Sequence, residues 1–159
     1  MICPTNITII KKNDRSIDEK IKLTRELRKL GANTNIGVEK KKINGKIKFG
    51  HTPIFDAIGL KYLKNFEKQK ELIEVLIRSG AQLNSNVNFG YTRIPLWKTL
   101  FIRSVSKFKN MTTLLWANGA DINKRNSSGK TLIFDVIGDK NELEMVKHLF
   151  KLGAKINLS

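Results

Sequence analysis

A five-residue phrase recurs four times along the chain: Gly31-Ala32-x-x-Asn35, Gly80-Ala81-x-x-Asn84, Gly119-Ala120-x-x-Asn123 and Gly153-Ala154-x-x-Asn157. Each copy closes an apolar, lysine-studded stretch that reads as a helix. Glycine takes the left-handed backbone conformation that stops a helix without steric cost, and Asn favours a turn, so each copy predicts a helix end followed by a turn. A supersecondary unit that recurs in this way decides the architecture before any single residue does, because each unit buries its apolar face only against its neighbours.

The spacing between the glycines drifts from 49 to 39 to 34 residues, so the units carry insertions. Three of them also open on a second phrase. These are Gly50-His51-Thr52-Pro53-Ile54-Phe55-Asp56-Ala57, Gly90-Tyr91-Thr92-Arg93-Ile94-Pro95-Leu96-Trp97 and Gly129-Lys130-Thr131-Leu132-Ile133-Phe134-Asp135-Val136. With both phrases in place, the sequence resembles the ankyrin-repeat family, whose unit of about 33 residues opens Gly-x-Thr-Pro-Leu-His-x-Ala and closes Leu-Leu-x-x-Gly-Ala-x-x-Asn. The resemblance runs from about residue 16 to residue 157. It implies an all-α fold, an α-solenoid of about four ankyrin-like repeats spanning roughly 1–35, 36–84, 85–123 and 124–157 of a single domain, 1–159. The first repeat is degenerate, since its opening phrase is missing, and the segment before Ser16 is expected to form a capping helix. The family's His after Thr-Pro-Leu, which ties repeats together through hydrogen bonds, is replaced by Phe55, Trp97 and Phe134, so a more apolar seam is expected.

Local chemistry agrees with this division. Thr52 is a suitable N-cap and Pro53 sits at the first helical position, where a missing N–H costs nothing. Ser16-x-x-Glu19 reads as a capping box, followed by Ile21, Leu23, Leu27 and Leu30 on one face. Leu72, Ile73, Leu76 and Ile77, and then Met145, Val146, Leu149 and Phe150, form the apolar stripes of two further helices.

Three segments stand out against the regular unit. The insertion from Ile36 to Phe49 carries Asn44-Gly45, a type I′ hairpin signal, because that turn needs positive φ at both central positions. An elongated hairpin is therefore expected, with Ile43 opposite Lys46, Lys42 opposite Ile47 and Lys40 opposite Phe49. Its five lysines, Lys40, Lys41, Lys42, Lys46 and Lys48, face a single acid, Glu39. The stretches Leu60 to Lys70 and Lys98 to Lys109 are also basic, but Tyr62, Phe66, Phe101 and Phe108 are spaced for helical packing. Lastly, the resemblance implies contact residues on the hairpin tips and the exposed side of the first helices: His51 and Asp56; Asn88, Phe89, Tyr91 and Lys98; Ser127, Ser128, Lys130 and Asp135.

With 30 basic and 14 acidic side chains the formal charge is +16, enough to draw an acidic protein or a nucleic acid. The excess is mostly Lys in a chain crowded with Asn and Ile, which coding bias also produces. Cys3 is the lone cysteine, so neither an internal disulfide nor a thiolate metal cluster is expected. His51 and His148 fall in different repeats, and no phosphate loop, activated nucleophile or metal-ligand spacing occurs, so neither catalysis nor a cofactor nor a bound metal is expected. No run of about 18 apolar residues and no signal-peptide pattern is present, which points to a cytoplasmic protein, of the producing cell or of a host.

The expectation is a non-enzymatic protein-binding module, monomeric by itself, that meets an acidic partner through its hairpin tips and concave face. A host-interaction factor or effector fits that description. The alternatives are a basic accessory nucleic-acid-binding protein and a bacterial toxin-neutralising partner. A fragment is a further rival to a natural end at Ser159, which the polar run on the last helix favours.

Overall fold

The computed structural model describes residue 10 and residues 15–35, 39–43, 46–49, 52–60, 65–84, 87–89, 92–94, 104–126, 128–138 and 142–156. The chain divides into two compact units, one of residues 1–82 with 87–90, the other of residues 83–86 with 91–159.

In the first unit α1 (Ile17–Lys29) and α3 (Phe66–Arg78) pack together, and the short α2 (Pro53–Ile58) packs on α3. The capping box forms as expected: Glu19 N–H donates to Ser16 Oγ at 3.2 Å, and Ser16 N–H donates to Glu19 Oε2 at 2.8 Å. The buried stripe of α1 differs from the predicted one. Lys20, Ile21, Thr24 and Leu27 are buried, whereas Leu30 at the C-cap is exposed. Thr24 passes as a core residue because its hydroxyl donates to Lys20 C=O at 2.7 Å, which satisfies its polar group locally. In α3, Leu72, Ile73, Val75 and Leu76 are buried. Its buried Gln69 donates through Nε2 to the carbonyls of Ala57 and Ile58 at 2.9 and 3.0 Å, so α3 supplies the acceptor-side cap of α2. Ile10 is also fully buried; the remainder of the expected N-terminal capping helix lies outside the described residues.

Between α1 and α2 a hairpin forms from β1 (Glu39–Ile43) and β2 (Lys46–Phe49), antiparallel. Ile43 is opposite Lys46, as expected, but Lys40 is opposite Lys48 and Glu39 is opposite Phe49. The register shifts between Lys40 and Ile43, the signature of a bulge, and this displaces the predicted Lys40 and Phe49 pair by one residue. The strand β3 (Val87–Phe89) completes this unit.

In the second unit α4 (Val105–Ala117) and α5 (Leu132–Val136) each pack against α6 (Glu142–Lys151), with β4 (Thr92–Ile94) preceding them. Phe108, Met111, Leu115, Leu132, Ile133, Met145 and Leu149 make the core. Phe108 is thus a packing residue, as its helical spacing predicted. The expected first helix of the third repeat and its Trp97 lie outside the described residues.

All four glycines of the recurring phrase have positive φ, from 78° at Gly31 to 90° at Gly119. Each closes a Schellman motif. The Gly N–H donates to the carbonyl three residues back, and the following Ala N–H donates to the carbonyl five residues back, as in Gly119 to Trp116 (2.9 Å) and Ala120 to Leu115 (3.0 Å). The Asn of the phrase does more than turn the chain. Asn35 Nδ2 donates to Gly80 C=O at 2.8 Å while its Oδ1 accepts from Gln82 N–H at 2.7 Å. Asn84 makes the same pair with Gly119 C=O and Asp121 N–H, at 2.9 and 2.6 Å, and Asn123 with Gly153 C=O and Lys155 N–H, at 3.1 and 2.8 Å. The side-chain amide of one repeat therefore satisfies the helix-stop backbone of the next, using donor and acceptor together. Two of these amides are themselves set by Asx turns, Asn33 Oδ1 accepting from Asn35 N–H and Asp121 Oδ1 from Asn123 N–H.

The Thr caps depart from expectation. Thr52 and Thr131 occupy N-cap positions with extended backbone, yet neither side chain caps its helix, and each buried Oγ1 has no hydrogen-bond partner among the described residues. Three residues further on stands Phe55 or Phe134, neither of which offers a hydrogen bond of the kind a histidine would.

Candidate interaction surface

Each unit carries one candidate feature: in the first, a basic hairpin before α2, and in the second, the turn that leads into α5. Lys40, Lys41 and Lys42 lie on β1, and Lys46 and Lys48 on β2. The observed register sets Lys40 directly opposite Lys48. The turn before α5 is organised by Asn126, whose Oδ1 accepts from Ser128 N–H at 2.9 Å and Lys130 N–H at 3.0 Å. It leaves Ser128 and Lys130 exposed, with Asp135 exposed on α5.

Asp56, the counterpart of Asp135 in the second repeat, is half-buried on α2, with Oδ2 out of solvent. Asn88 and Phe89 lie on β3. His51, Tyr91, Lys98 and Ser127 lie outside the described residues.

Charged side chains along the helices are partly spent on internal pairs. Lys68 on α3 meets Asp18 at 2.5 Å, and that hydrogen bond holds its ammonium above the ordinary 10.5. Arg25 meets Glu71 at 2.9 Å, and Lys109 pairs with Glu144. His148 on α6 is half-buried, and its Nε2 lies 2.9 Å from Thr112 Oγ1. Burial first, and then the neighbouring Lys109, press its pKa below the ordinary 6.5. Its place is a helix contact, since Thr112 is fully buried in α4. Among the described residues no group of three or more His, Cys, Asp and Glu could hold a metal ion, and no helix is long and apolar enough to cross a membrane.

Sequence reasoning missed a set of exposed apolar residues, Trp116, Phe134, Ile137, Leu143, Phe150 and Ile156, all in the second unit. Phe134 and Ile137 fall at register positions that read as core, and the same positions of the second repeat hold the identical residues Phe55 and Ile58, so the sequence carries no signal that sets them apart.

No family model matches the sequence, and no curated protein aligns with it significantly. Among solved structures the chain is similar to an ankyrin repeat domain from Acinetobacter baumannii AYE, at 20% identity and a TM-score of 0.48, covering 87% of this chain and 78% of that one. It is also similar to the ankyrin repeat domain of Bcl-3, a unique member of the IkappaB protein family, at 14% identity and a TM-score of 0.45, covering 94% and 86%. Within each unit of this chain, paired helices ended by Schellman glycines and joined repeat to repeat by Asn amides make the fold one of ankyrin-like repeats.

Proposed function

We propose that this protein is a non-enzymatic binding module that docks an acidic surface of another protein through its lysine hairpin and the exposed turn before α5. The observation that carries this reading is the cross-strand opposition of Lys40 and Lys48 within a hairpin of five lysines. The overall charge of +16 speeds encounter with an anionic partner and makes it salt-dependent. The turn adds Ser128 and Lys130 as exposed polar contacts, and Asp135 is exposed on α5, which follows it. A cytoplasmic location, of the producing cell or of a host, belongs to the same reading, and so does a role as effector, host-interaction factor or toxin-neutralising partner.

The same lysines would serve nucleic-acid phosphates, and the two partners separate by salt. The test immobilises the full chain and its K40E/K41E/K42E variant, and measures retention of a captured protein partner and of duplex DNA at about 50 and about 200 mM salt. A stoichiometric protein complex that survives the higher salt and weakens about tenfold or more in the variant supports the proposal. Retention of DNA at low salt with a steep loss at high salt, and no such protein complex, refutes it in favour of nucleic acid.

A further inference from the structure

The four repeats share one register, so each position can be compared with its counterparts. Three residues after the phrase glycine stand Thr34, Leu83 and Ile122, all buried, with Ile122 at 4% exposure; the fourth, Ile156, is 46% exposed. Seven residues before it stand Thr24, Ile73 and Thr112, all fully buried; the fourth, Val146, is only half-buried. On the first helices Phe55 is 1% exposed but Phe134, its counterpart, 44%. Ile58 is buried but Ile137, its counterpart, is exposed. Phe150 does not count here, because Trp116 at the same register is exposed to a similar degree. Four apolar residues of the last repeat therefore keep side chains suited to burial at positions that elsewhere are buried.

Phe134 lies on α5 and Val146 on α6, while Ile137 follows α5 and Ile156 follows α6. α6 turns Glu144 and His148 toward α4, where they meet Lys109 and Thr112. With 100° per residue, Val146 lies on the opposite side of α6, away from α4. Phe134 lies on α5, which itself packs on α6, and Ile137 stands at the C-cap of α5, directly after Val136.

Charge decides what fits. Lys147, Lys151 and Lys155 are exposed and have no ion pair with another described residue. The acids of the same two helices are already engaged: Glu142 accepts from Gly138 N–H, Glu144 holds Lys109, and Asp135 has an interaction of its own. A second copy would set three lysines against three lysines, in a pair of chains each carrying +16. An amphipathic helix with carboxylates flanking its apolar face satisfies both features, covering the apolar positions and pairing with the ammonium groups.

We infer that the outer side of α5 and α6, built on Phe134, Ile137, Val146 and Ile156, is a docking face for an acidic amphipathic helix of a separate protein. This site is distinct from the lysine hairpin and stands or falls independently of it.

The probe is a synthetic, fluorescently labelled helical peptide of about 20 residues, leucines on one face and glutamates flanking them, with a lysine-flanked twin as control. Anisotropy titrations use the full chain at about 150 mM salt, where exposed charges act within about 8 Å. The acidic peptide is expected to bind and its twin to fail. Ile156→Ser and Phe134→Ser, both at exposed positions, are each expected to weaken binding about tenfold or more, with thermal melts checking that the fold is retained. K40Q/K41Q/K42Q is expected to change affinity less than about twofold, which separates this face from the hairpin. Equal affinity for the Ser variants, or equal binding of the twin, overturns the inference. Sedimentation equilibrium showing a dimer of the free chain that Ile156→Ser dissociates also overturns it, because the face would then receive a second copy.

Discussion

Replacing Asn123 with Ala removes a side chain that spans two repeats. Its amide donates to Gly153 C=O at 3.1 Å and accepts from Lys155 N–H at 2.8 Å, and the substitution leaves both backbone groups to water. Each such bond contributes about 0.5–1.5 kcal/mol net. Because both lie in solvent-accessible positions, water replaces part of what is lost, and the expected cost is about 1–2 kcal/mol rather than the full sum. For a chain of this length that lowers Tm by roughly 3–6 °C. Calorimetry and urea unfolding measure the loss. Hydrogen exchange locates it: the amides of α6 should exchange faster in Asn123→Ala, while those of α1 and α3 keep their protection. Asn123→Asp keeps the acceptor and loses the donor, so it should fall between the wild type and the Ala variant. An Asn123→Ala protein as stable as the wild type, or a loss of protection spread evenly over the chain, refutes the assignment of Asn123 as a clamp between repeats.

Further outcomes follow from individual side chains. Thr131→Val removes a buried hydroxyl without a partner, so urea unfolding should show a change from neutral to about 1 kcal/mol stabilising, whereas Thr112→Val, whose hydroxyl donates to Phe108 C=O at 2.8 Å, should cost about 1–2 kcal/mol. A destabilised Thr131→Val would contradict the orphaned hydroxyl. Gly119→Ala meets no atom within 4 Å at its new Cβ, so only the backbone at φ +90° resists it, and the denaturation midpoint should drop by an amount equivalent to about 1–2 kcal/mol. His148 is protonated more readily in the unfolded chain than in the fold, so its contribution is intact above pH 6.5 and is lost as pH falls through its lowered pKa. Urea midpoints measured from about pH 7 to about pH 5 should fall more steeply for the wild type than for His148→Gln, and identical slopes would contradict the shift.

What the sequence revealed and concealed divides along the range of the interactions. Helix stops were legible because a Schellman motif is made within six residues and Gly supplies its left-handed position; all four behave as read. The Asn of the same phrase was legible only as a turn former. Its true partners stand 45 and 47 residues away in the case of Asn35, and no local pattern announces them. Thr52 and Thr131 were placed correctly on the backbone and wrongly in their hydrogen bonding, because N-cap dihedrals are local but the direction of a hydroxyl depends on what lies beside it. The hairpin was legible from Asn44-Gly45, whereas its bulge shifts Lys40 onto Lys48, an arrangement that two-residue alternation does not encode. Phe134 and Ile137 escaped notice as surface because an apolar residue at a core register reads as core; only the exposure of the last repeat distinguishes them from Phe55 and Ile58.

The side-chain amides themselves report on whether the recurring phrase joins one repeat to the next. Nδ2 of Asn35, Asn84 and Asn123 donates to a glycine carbonyl of the following repeat, while Nδ2 of Asn33 and Asn126 makes no bond to another described residue. Solution NMR of side-chain amide hydrogen exchange compares the two sets directly. Slowed exchange at Asn35, Asn84 and Asn123, with solvent-like exchange at Asn33 and Asn126, is the predicted result. The same rate at all five would contradict the repeat-to-repeat clamp on which this fold rests.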